Sequence, residues 1–361
     1  MGKVAPKRPA EVGSCGEPPP SIGRHAIEPS ASSRSEPLSY HDQERSDPNT
    51  SGSRDTNLPF RRAFLTGATG FLGRRVARQL LARGVDVHAS LHRSAPRQAR
   101  GVTWHALDMR NATSVHEVLE TVHADALVHL AWNVGVDYEN SPENAVWVEW
   151  SLDLAREFVR CGGRHILMAG SCAEYEWSGA PLSEESPCRP NTAYGAAKLS
   201  LGQEVRHLAD DDVTVVWPRL FFLFGEGEGP QRVIPHIISD VAAGRNIDWI
   251  SPDLRRDYLP SDEAAAAIVY LLVASARGAV NVASGAAPTI RELARIVAAA
   301  LGRDGPSMSS AAVPAPDHLE IRADVTKLRQ LGWVPSRTVD EALAAFARAN
   351  KPDQRSTRDQ S

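Results

Sequence analysis

Arg61-Arg-Ala-Phe-Leu-Thr-Gly-Ala-Thr-Gly-Phe-Leu-Gly73 decides the fold. Its apolar run, Ala63 to Leu65, stops at Thr66, and Gly67, Gly70 and Gly73 follow. A helical pattern begins at once, with Phe71, Leu72, Val76, Leu80 and Leu81. Strand, glycine turn and helix together open a βαβ nucleotide-binding unit. One glycine makes the tight turn, one lets the backbone approach a pyrophosphate, and one lets helix and strand pack closely. The helix start offers free N–H groups and a positive dipole end to that pyrophosphate. Gly67, Thr69, Gly70, Phe71, Leu72 and Gly73 are therefore the expected cofactor loop. The spacing differs from the commonest dinucleotide fingerprint, G-x-G-x-x-G, and glycines also serve plain turns, so the strand-to-helix context carries the reading.

Outward from this stretch the pattern alternates. Strands are expected at 61–66, 85–91, 102–107, 125–131, 164–170 and 213–219, with helices at 71–83, 111–122, 142–160 and 190–209. Such alternation predicts an α/β fold, a doubly wound parallel sheet with helices on both faces. The ligand then lies along the edge formed by the strand C-termini. After about residue 220, short strands (247–250, 279–282, 319–322) mix with helices at 230–243, 261–275, 289–302 and 338–349. The expected organisation is a dinucleotide-binding domain over 59–220 and a smaller C-terminal α/β substrate domain over 221–350, its elements interleaved with the sheet. Residues 1–58 are rich in Pro, Ser, Gly, Arg and Glu without apolar periodicity, and are expected to be a disordered tail. Residues 351–361 are polar and expected to fray.

With 361 residues, a net charge of −4 and 42% hydrophobic residues, the chain can bury a real core and carries no electrostatic signature for nucleic acid or an anionic membrane. No apolar run reaches the roughly 18 residues of a transmembrane helix. Cys15, Cys161, Cys172 and Cys188 show neither paired metal spacing nor disulfide density, so a reducing, cytoplasmic setting is expected. Twelve histidines are present without an H-E-x-x-H or similar cluster, and no metal site is expected.

The second strand bears on cofactor type. An acidic residue about 20 positions past the first glycines binds the ribose 2′-OH of NAD. Here the strand ends in Val87-His-Ala-Ser-Leu-His-Arg93, with Asp86 too early. His92 and Arg93 match a 2′-phosphate instead, so NADP is expected, with NAD as the alternative. Asp108 and Met109, after the third strand, stand where the adenine would lie, and Asp108 is equally a turn cap. Leu130 and Ala131 would border the middle of the cofactor, while His129 before them is a borderline residue or a satisfied core histidine.

Ser171, Tyr194 and Lys198 carry the chemistry. Tyr194 and Lys198 are four apart, on one helix face, where an ammonium would lower a phenol that ordinarily titrates near 10. Ser171 follows the fifth strand at the ligand edge and could hold a substrate oxygen beside Tyr194.

The chain resembles the extended short-chain dehydrogenase/reductases, the nucleotide-sugar epimerase, dehydratase and reductase group. The likeness runs from about residue 60 to 350: Thr66-Gly-Ala-Thr-Gly-Phe-Leu-Gly73, Val128-His-Leu-Ala131, Ser171 before Tyr175, Tyr194-x-x-x-Lys198, Pro218-Arg219, Arg256-Asp-Tyr-Leu-Pro-Ser-Asp262 and Asn281-Val-Ala-Ser-Gly285. The resemblance implies a Rossmann domain, a C-terminal nucleotide-sugar domain, and a homodimer joined by a four-helix bundle. That bundle would use the 142–160 helix, with Trp147 and Trp150, and the Tyr194 helix; ordinary core or lid packing is the other reading of the tryptophans. It also implies that Arg256 clamps the substrate diphosphate; a surface ion pair with Asp257 or Asp262 is the other reading. Cys172-Ala173 stands where dehydratases of this group have an Asp-Glu pair, which removes the acid and base of water elimination. Phe222 stands where relatives acting on hexosyl nucleotides often have Asn, which suggests a less polar, deoxygenated sugar. Cys172, Glu174, Phe222 and Arg256 are the expected substrate contacts. The expected reaction is NADPH-dependent reduction of a nucleotide-linked 4-keto-6-deoxyhexose. A 4-epimerase that keeps NAD bound is the alternative, and a non-catalytic NADP-binding regulator is a remote third.

Overall fold

The computed structural model describes residues 58–91, 100–135, 137–309 and 319–351. The tail before residue 58, the cofactor-type residues His92 and Arg93, and the residues after 351 lie outside them. In chain order the first half runs β1 (Arg62–Thr66), α1 (Gly73–Ala82), β2 (Asp86–Leu91), β3 (Val102–Ala106), α2 (Ala112–Val122), β4 (Ala126–His129), α3 (Glu143–Arg160), β5 (His165–Met168), β6 (Gly170–Ser171), α4 (Ala193–Val205) and β7 (Thr214–Leu220). The second half runs β8 (Phe222–Phe224), α5 (Val233–Ala243), β9 (Arg255–Arg256), β10 (Tyr258–Pro260), α6 (Ser261–Val273), β11 (Gly278–Val282), α7 (Ile290–Leu301), β12 (Glu320–Ile321), α8 (Thr326–Gln330) and α9 (Val339–Ala349).

The main sheet has the order β3-β2-β1-β4-β5-β7-β11, with β6 beside β7, and each pairing is parallel. Period-two alternation decides which face each side chain takes. Ala63, Leu65, Val87, Val128, Leu167, Val216 and Val280 turn to one face, under α1 and α6. Phe64, Leu127, Ile166, Met168 and Val215 turn to the other, under α2, α3 and α4. Strands buried on both faces read as continuous apolar runs for this reason. The order reverses between β1 and β4, which opens the crevice in which a doubly wound sheet binds its ligand.

Beyond residue 220 the chain both completes the sheet and builds outside it. β11 forms a sheet edge beside β7, and α6 covers the sheet next to α1. Helices α5, α7 and α9 enclose a separate core with Phe224 and Tyr258. Two short parallel pairs form outside the main sheet, β8 with β10 and β9 with β12; the strand expected at 319–322 is β12, whereas β8, β9 and β10, of two or three residues, carry no periodicity. The strand expected at 247–250 does not form. Ile247 makes a single bridge to Met308, and the next residues are drawn toward α5. There Trp249 stacks on His236 at 4.1 Å and donates from Nε1 to Asp240 Oδ2 at 2.8 Å.

Candidate active site

Ser171, extended in backbone, caps a single 3-10 turn over Cys172–Glu174. Its Oγ accepts the Ala173 N–H at 3.2 Å, and its own N–H donates to Glu174 Oε1 at 2.8 Å, a reciprocal capping box. Helix α4 starts directly against this turn. Gly195 permits that approach, since a Cβ there would lie 2.2 Å from the Ala173 carbonyl oxygen. Thr192 caps α4 by accepting from Gly195 N–H at 3.0 Å. Tyr194 therefore sits in the first turn, its phenol within electrostatic reach of the Ser171 side chain, with Lys198 one turn on.

The electrostatics differ from the sequence expectation. Burial raises the Tyr194 phenol above its ordinary value; the nearby Ser171 side chain opposes the shift without reversing it. Lys198 is itself buried, and desolvation brings its ammonium down to about 7, against an opposing pull from Glu174. Its Nζ donates to the Ala169 carbonyl at 3.0 Å. The acidified phenol expected from Lys198 is not found in the chain alone: desolvation is the largest influence on Tyr194, and Lys198 is not among the main groups acting on it. Burial instead favours the protonated phenol.

The glycine turn fits a diphosphate. Gly67 has φ 72°, and a Cβ there would lie 2.8 Å from Ala131 N, so the turn rests directly on the end of β4. A Cβ on Gly73 would lie 2.0 Å from the Gly67 carbonyl oxygen, which seats α1 on the loop. At Gly70 a Cβ would meet only that oxygen, at 3.1 Å, and Thr69 and Gly70 are exposed, so bare backbone faces outward. The α1 N-cap, Leu72, makes no side-chain cap bond, and the first turn holds no acidic residue. Open N–H groups at a positive dipole end are what a dinucleotide pyrophosphate requires. Thr66 braces this turn: its Oγ1 meets His129 Nδ1 at 2.7 Å and accepts from Ala131 N–H at 3.3 Å. His129 Nε2 meets Ser151 Oγ at 2.9 Å, and burial holds the ring neutral with a pKa of about 3, so it is a satisfied core histidine. Asp108 accepts from Arg110 N–H at 3.0 Å and pairs with its guanidinium at 2.8 Å, the turn-cap arrangement. Met109 packs against the α2–α3 core.

The four expected substrate residues separate. Phe222 and Arg256 stay together, the guanidinium centre 5.7 Å from the ring, and Cys172 lies within electrostatic reach of Arg256. The ion-pair alternatives for Arg256 are engaged elsewhere. Asp257 accepts from Ser284 N–H, Ser284 Oγ, Gly285 N–H and Ala323 N–H, at 2.9, 2.6, 3.0 and 3.1 Å, and Asp262 pairs with Arg337. Cys172 is a buried thiol pushed up to about 12 by desolvation, so it is no nucleophile at neutral pH. Glu174 is a second correction: it does not face the pocket. At 1% exposure it accepts from Trp217 Nε1 at 2.9 Å and Arg219 Nε at 2.8 Å, a buried pair beneath Ser171. Arg219 continues to Tyr175 OH at 2.9 Å, and Tyr175 donates to Asn281 Oδ1 at 2.7 Å.

Three residues escaped the sequence reading. Trp132 and Tyr138 flank Tyr194 edge-on, at ring separations of 6.2 and 5.0 Å. Glu228, in a turn rich in glycine, has Oε2 buried without a partner and its carboxyl raised to about 7 by desolvation. Its folded pKa lies above its unfolded one, so its stabilising contribution is present at acid pH and lost as pH rises through about 7. Glu228→Gln is therefore expected to raise the thermal midpoint more at pH 8 than at pH 5.5. Equal gains at both, read from melts of the two proteins, would contradict the assignment.

Among the described residues, His116, Glu120 and Cys161 gather ligand atoms within 4.8 Å on α2 and the end of α3. Arg160 already occupies this cluster, its Nη2 2.6 Å from His116 Nδ1 and its Nε 2.7 Å from Glu157 Oε2. Also among the described residues, no helix is long and apolar enough to cross a membrane.

A parallel sheet with its glycine turn at the switch point, and a Ser/Tyr/Lys set at the same edge, define an NAD-dependent enzyme of the short-chain dehydrogenase/reductase kind. The chain belongs to the NAD dependent epimerase/dehydratase family, whose model matches residues 63–283. It is 28% identical over 305 residues to a dTDP-6-deoxy-L-talose 4-dehydrogenase (NAD(P)(+)) of Kitasatospora kifunensis, across 78% of this chain and 93% of that one. It is 27% identical over 321 residues to a UDP-glucose 4-epimerase of Corynebacterium glutamicum, across 79% and 95%. Its fold matches the UDP-glucose 4-epimerase of Thermus thermophilus in complex with NAD, with a TM-score of 0.68 and 22% identity over 79% of this chain and 97% of that one.

Proposed function

We propose that the protein reduces the C4 carbonyl of a nucleotide-linked 4-keto-6-deoxyhexose with NADPH. The observation that carries this reading is the seating of α4 against the Ser171 turn, which puts Tyr194 in the first helical turn beside Ser171 with Lys198 one turn on. Reduction leaves an alkoxide in need of a proton, and a neutral phenol beside a serine hydroxyl is built to supply one. Ser171 orients the carbonyl oxygen and Tyr194 protonates it. Gly67, Thr69, Gly70, Phe71, Leu72 and Gly73 hold the dinucleotide diphosphate, Leu130 and Ala131 border its middle, and Asp108 and Met109 its adenine. Reduced nicotinamide, when bound, supplies the hydride. Phe222 and Arg256 line the nucleotide-sugar side, where an aromatic face and a guanidinium suit a deoxygenated sugar and its diphosphate. Likeness to a 4-dehydrogenase of a 6-deoxy sugar supports the position and the sugar class. Cys172 and Ala173 offer no carboxylate for elimination.

A 4-epimerase acting through bound NAD is the second reading, favoured by the likeness to a UDP-glucose 4-epimerase. The two separate on purification, since an epimerase retains NAD(H) and a reductase requires added NADPH. NADP preference rests on Arg93. Arg93→Ala is expected to weaken NADPH binding about tenfold or more and NADH binding little, measured by fluorescence titration. Equal losses would remove the 2′-phosphate role. We also read the protein as a cytoplasmic homodimer built on α3 and α4, with Trp147 and Trp150, 5.6 Å apart, near that seam.

A further inference from the structure

Lys198 Nζ stands 3.6 Å from the centre of the Trp132 indole and 5.9 Å from that of Tyr194. The side chain is buried and lies in the first two turns of α4. The indole is held in place on its own account. Its Nε1–H donates to Asn144 Oδ1 at 2.9 Å, and Asn144, itself buried, donates from Nδ2 to the carbonyls of Tyr138 and Ser141 at 2.7 and 2.9 Å. The same indole meets Tyr194 edge-on at 6.2 Å and Trp147 at 5.8 Å. A cation over a tryptophan face is attracted by the ring quadrupole, and more strongly where water is excluded. Indole, phenol and ammonium thus form one packed unit.

We propose that Trp132 is a positioning residue of this centre: its indole face, locked by Asn144, holds the Lys198 ammonium in line with Tyr194. The proposal rests on the reading of Lys198 as the partner of Tyr194. Burial favours loss of this ammonium's proton against the opposing pull of Glu174, and the ring face supplies electron density beside it without adding a charge. The tryptophan adds a constraint on the catalytic lysine that a flexible aliphatic side chain in its place would not supply.

The test has an arm that needs no turnover. The chain has five lysines, Lys3, Lys7, Lys198, Lys327 and Lys351, so ¹³C-lysine NMR of the whole cofactor-free protein gives few signals. The Lys198 ε-methylene is expected upfield in the ring current of Trp132, to return toward the free-lysine position in Trp132→Leu, and to lie between in Trp132→Phe. Wild-type protein with no upfield lysine signal would overturn the proposal. In the second arm, NADPH and dTDP-4-keto-6-deoxyglucose serve as probes. Trp132→Leu is expected to lower kcat about tenfold with both KM values within about twofold, and Trp132→Phe to restore most of the loss. A kcat loss matched by equal falls in thermal midpoint, or no rescue by phenylalanine, would reduce Trp132 to packing and overturn the proposal. Wild-type enzyme that shows the shifted signal but turns over neither probe would count against the functional reading alone.

Discussion

Tyr194→Phe is expected to lower kcat by about 10²- to 10⁴-fold while leaving cofactor affinity within a few-fold of wild type. The substitution removes one hydroxyl and leaves the ring between Trp132 and Tyr138. It therefore leaves the glycine turn and α1 untouched and deletes only the proton donor. The magnitude follows from the role of that proton. Desolvation raises the phenol above its ordinary value in the cofactor-free chain, so the proton that the alkoxide needs is already on Tyr194. Single-turnover kinetics with saturating cofactor measure the loss. Turnover within tenfold of wild type would mean that another group delivers the proton.

Glu174→Ala is expected to destabilise the fold by about 3–5 kcal/mol, the cost of breaking a buried ion pair from one side. The carboxylate is 1% exposed and serves three donors: Ser171 N–H, Trp217 Nε1 and Arg219 Nε, at 2.8, 2.9 and 2.8 Å. Its removal leaves the buried Arg219 without a counter-charge and loosens the turn that presents Ser171. Denaturant titration at pH 7 reads the stability, and kcat falls with it because Ser171 loses its support. A direct sugar contact, the role expected from sequence, would give the opposite pattern, a raised KM with unchanged stability.

The contrast between those two residues shows where sequence reading succeeds. The β1–turn–α1 unit is legible because its information is local: apolar run, glycines and helical period fall within thirteen consecutive residues. The Ser171, Tyr194 and Lys198 set is legible because strand end and helix face fix where each side chain points. Glu174 is not legible, since its orientation depends on Arg219 and Trp217, which lie 45 and 43 positions away. The link from Tyr175 to Asn281 spans 106 positions and has no periodic trace. The direction of the Tyr194 shift is hidden from the sequence for a related reason. Charge can be read from a helix face, whereas desolvation depends on what the whole fold packs against it. Trp132 escaped because an aromatic after a strand end has many uses, and only the fold sets it over Lys198.

Absorbance at 340 nm, followed with purified protein, NADPH and dTDP-4-keto-6-deoxyglucose, tests the central claim most directly. The account predicts NADPH oxidation in one-to-one proportion with sugar reduced, abolished in Tyr194→Phe. Interconversion of sugar 4-epimers with retained NAD and no net consumption of NADPH would contradict it.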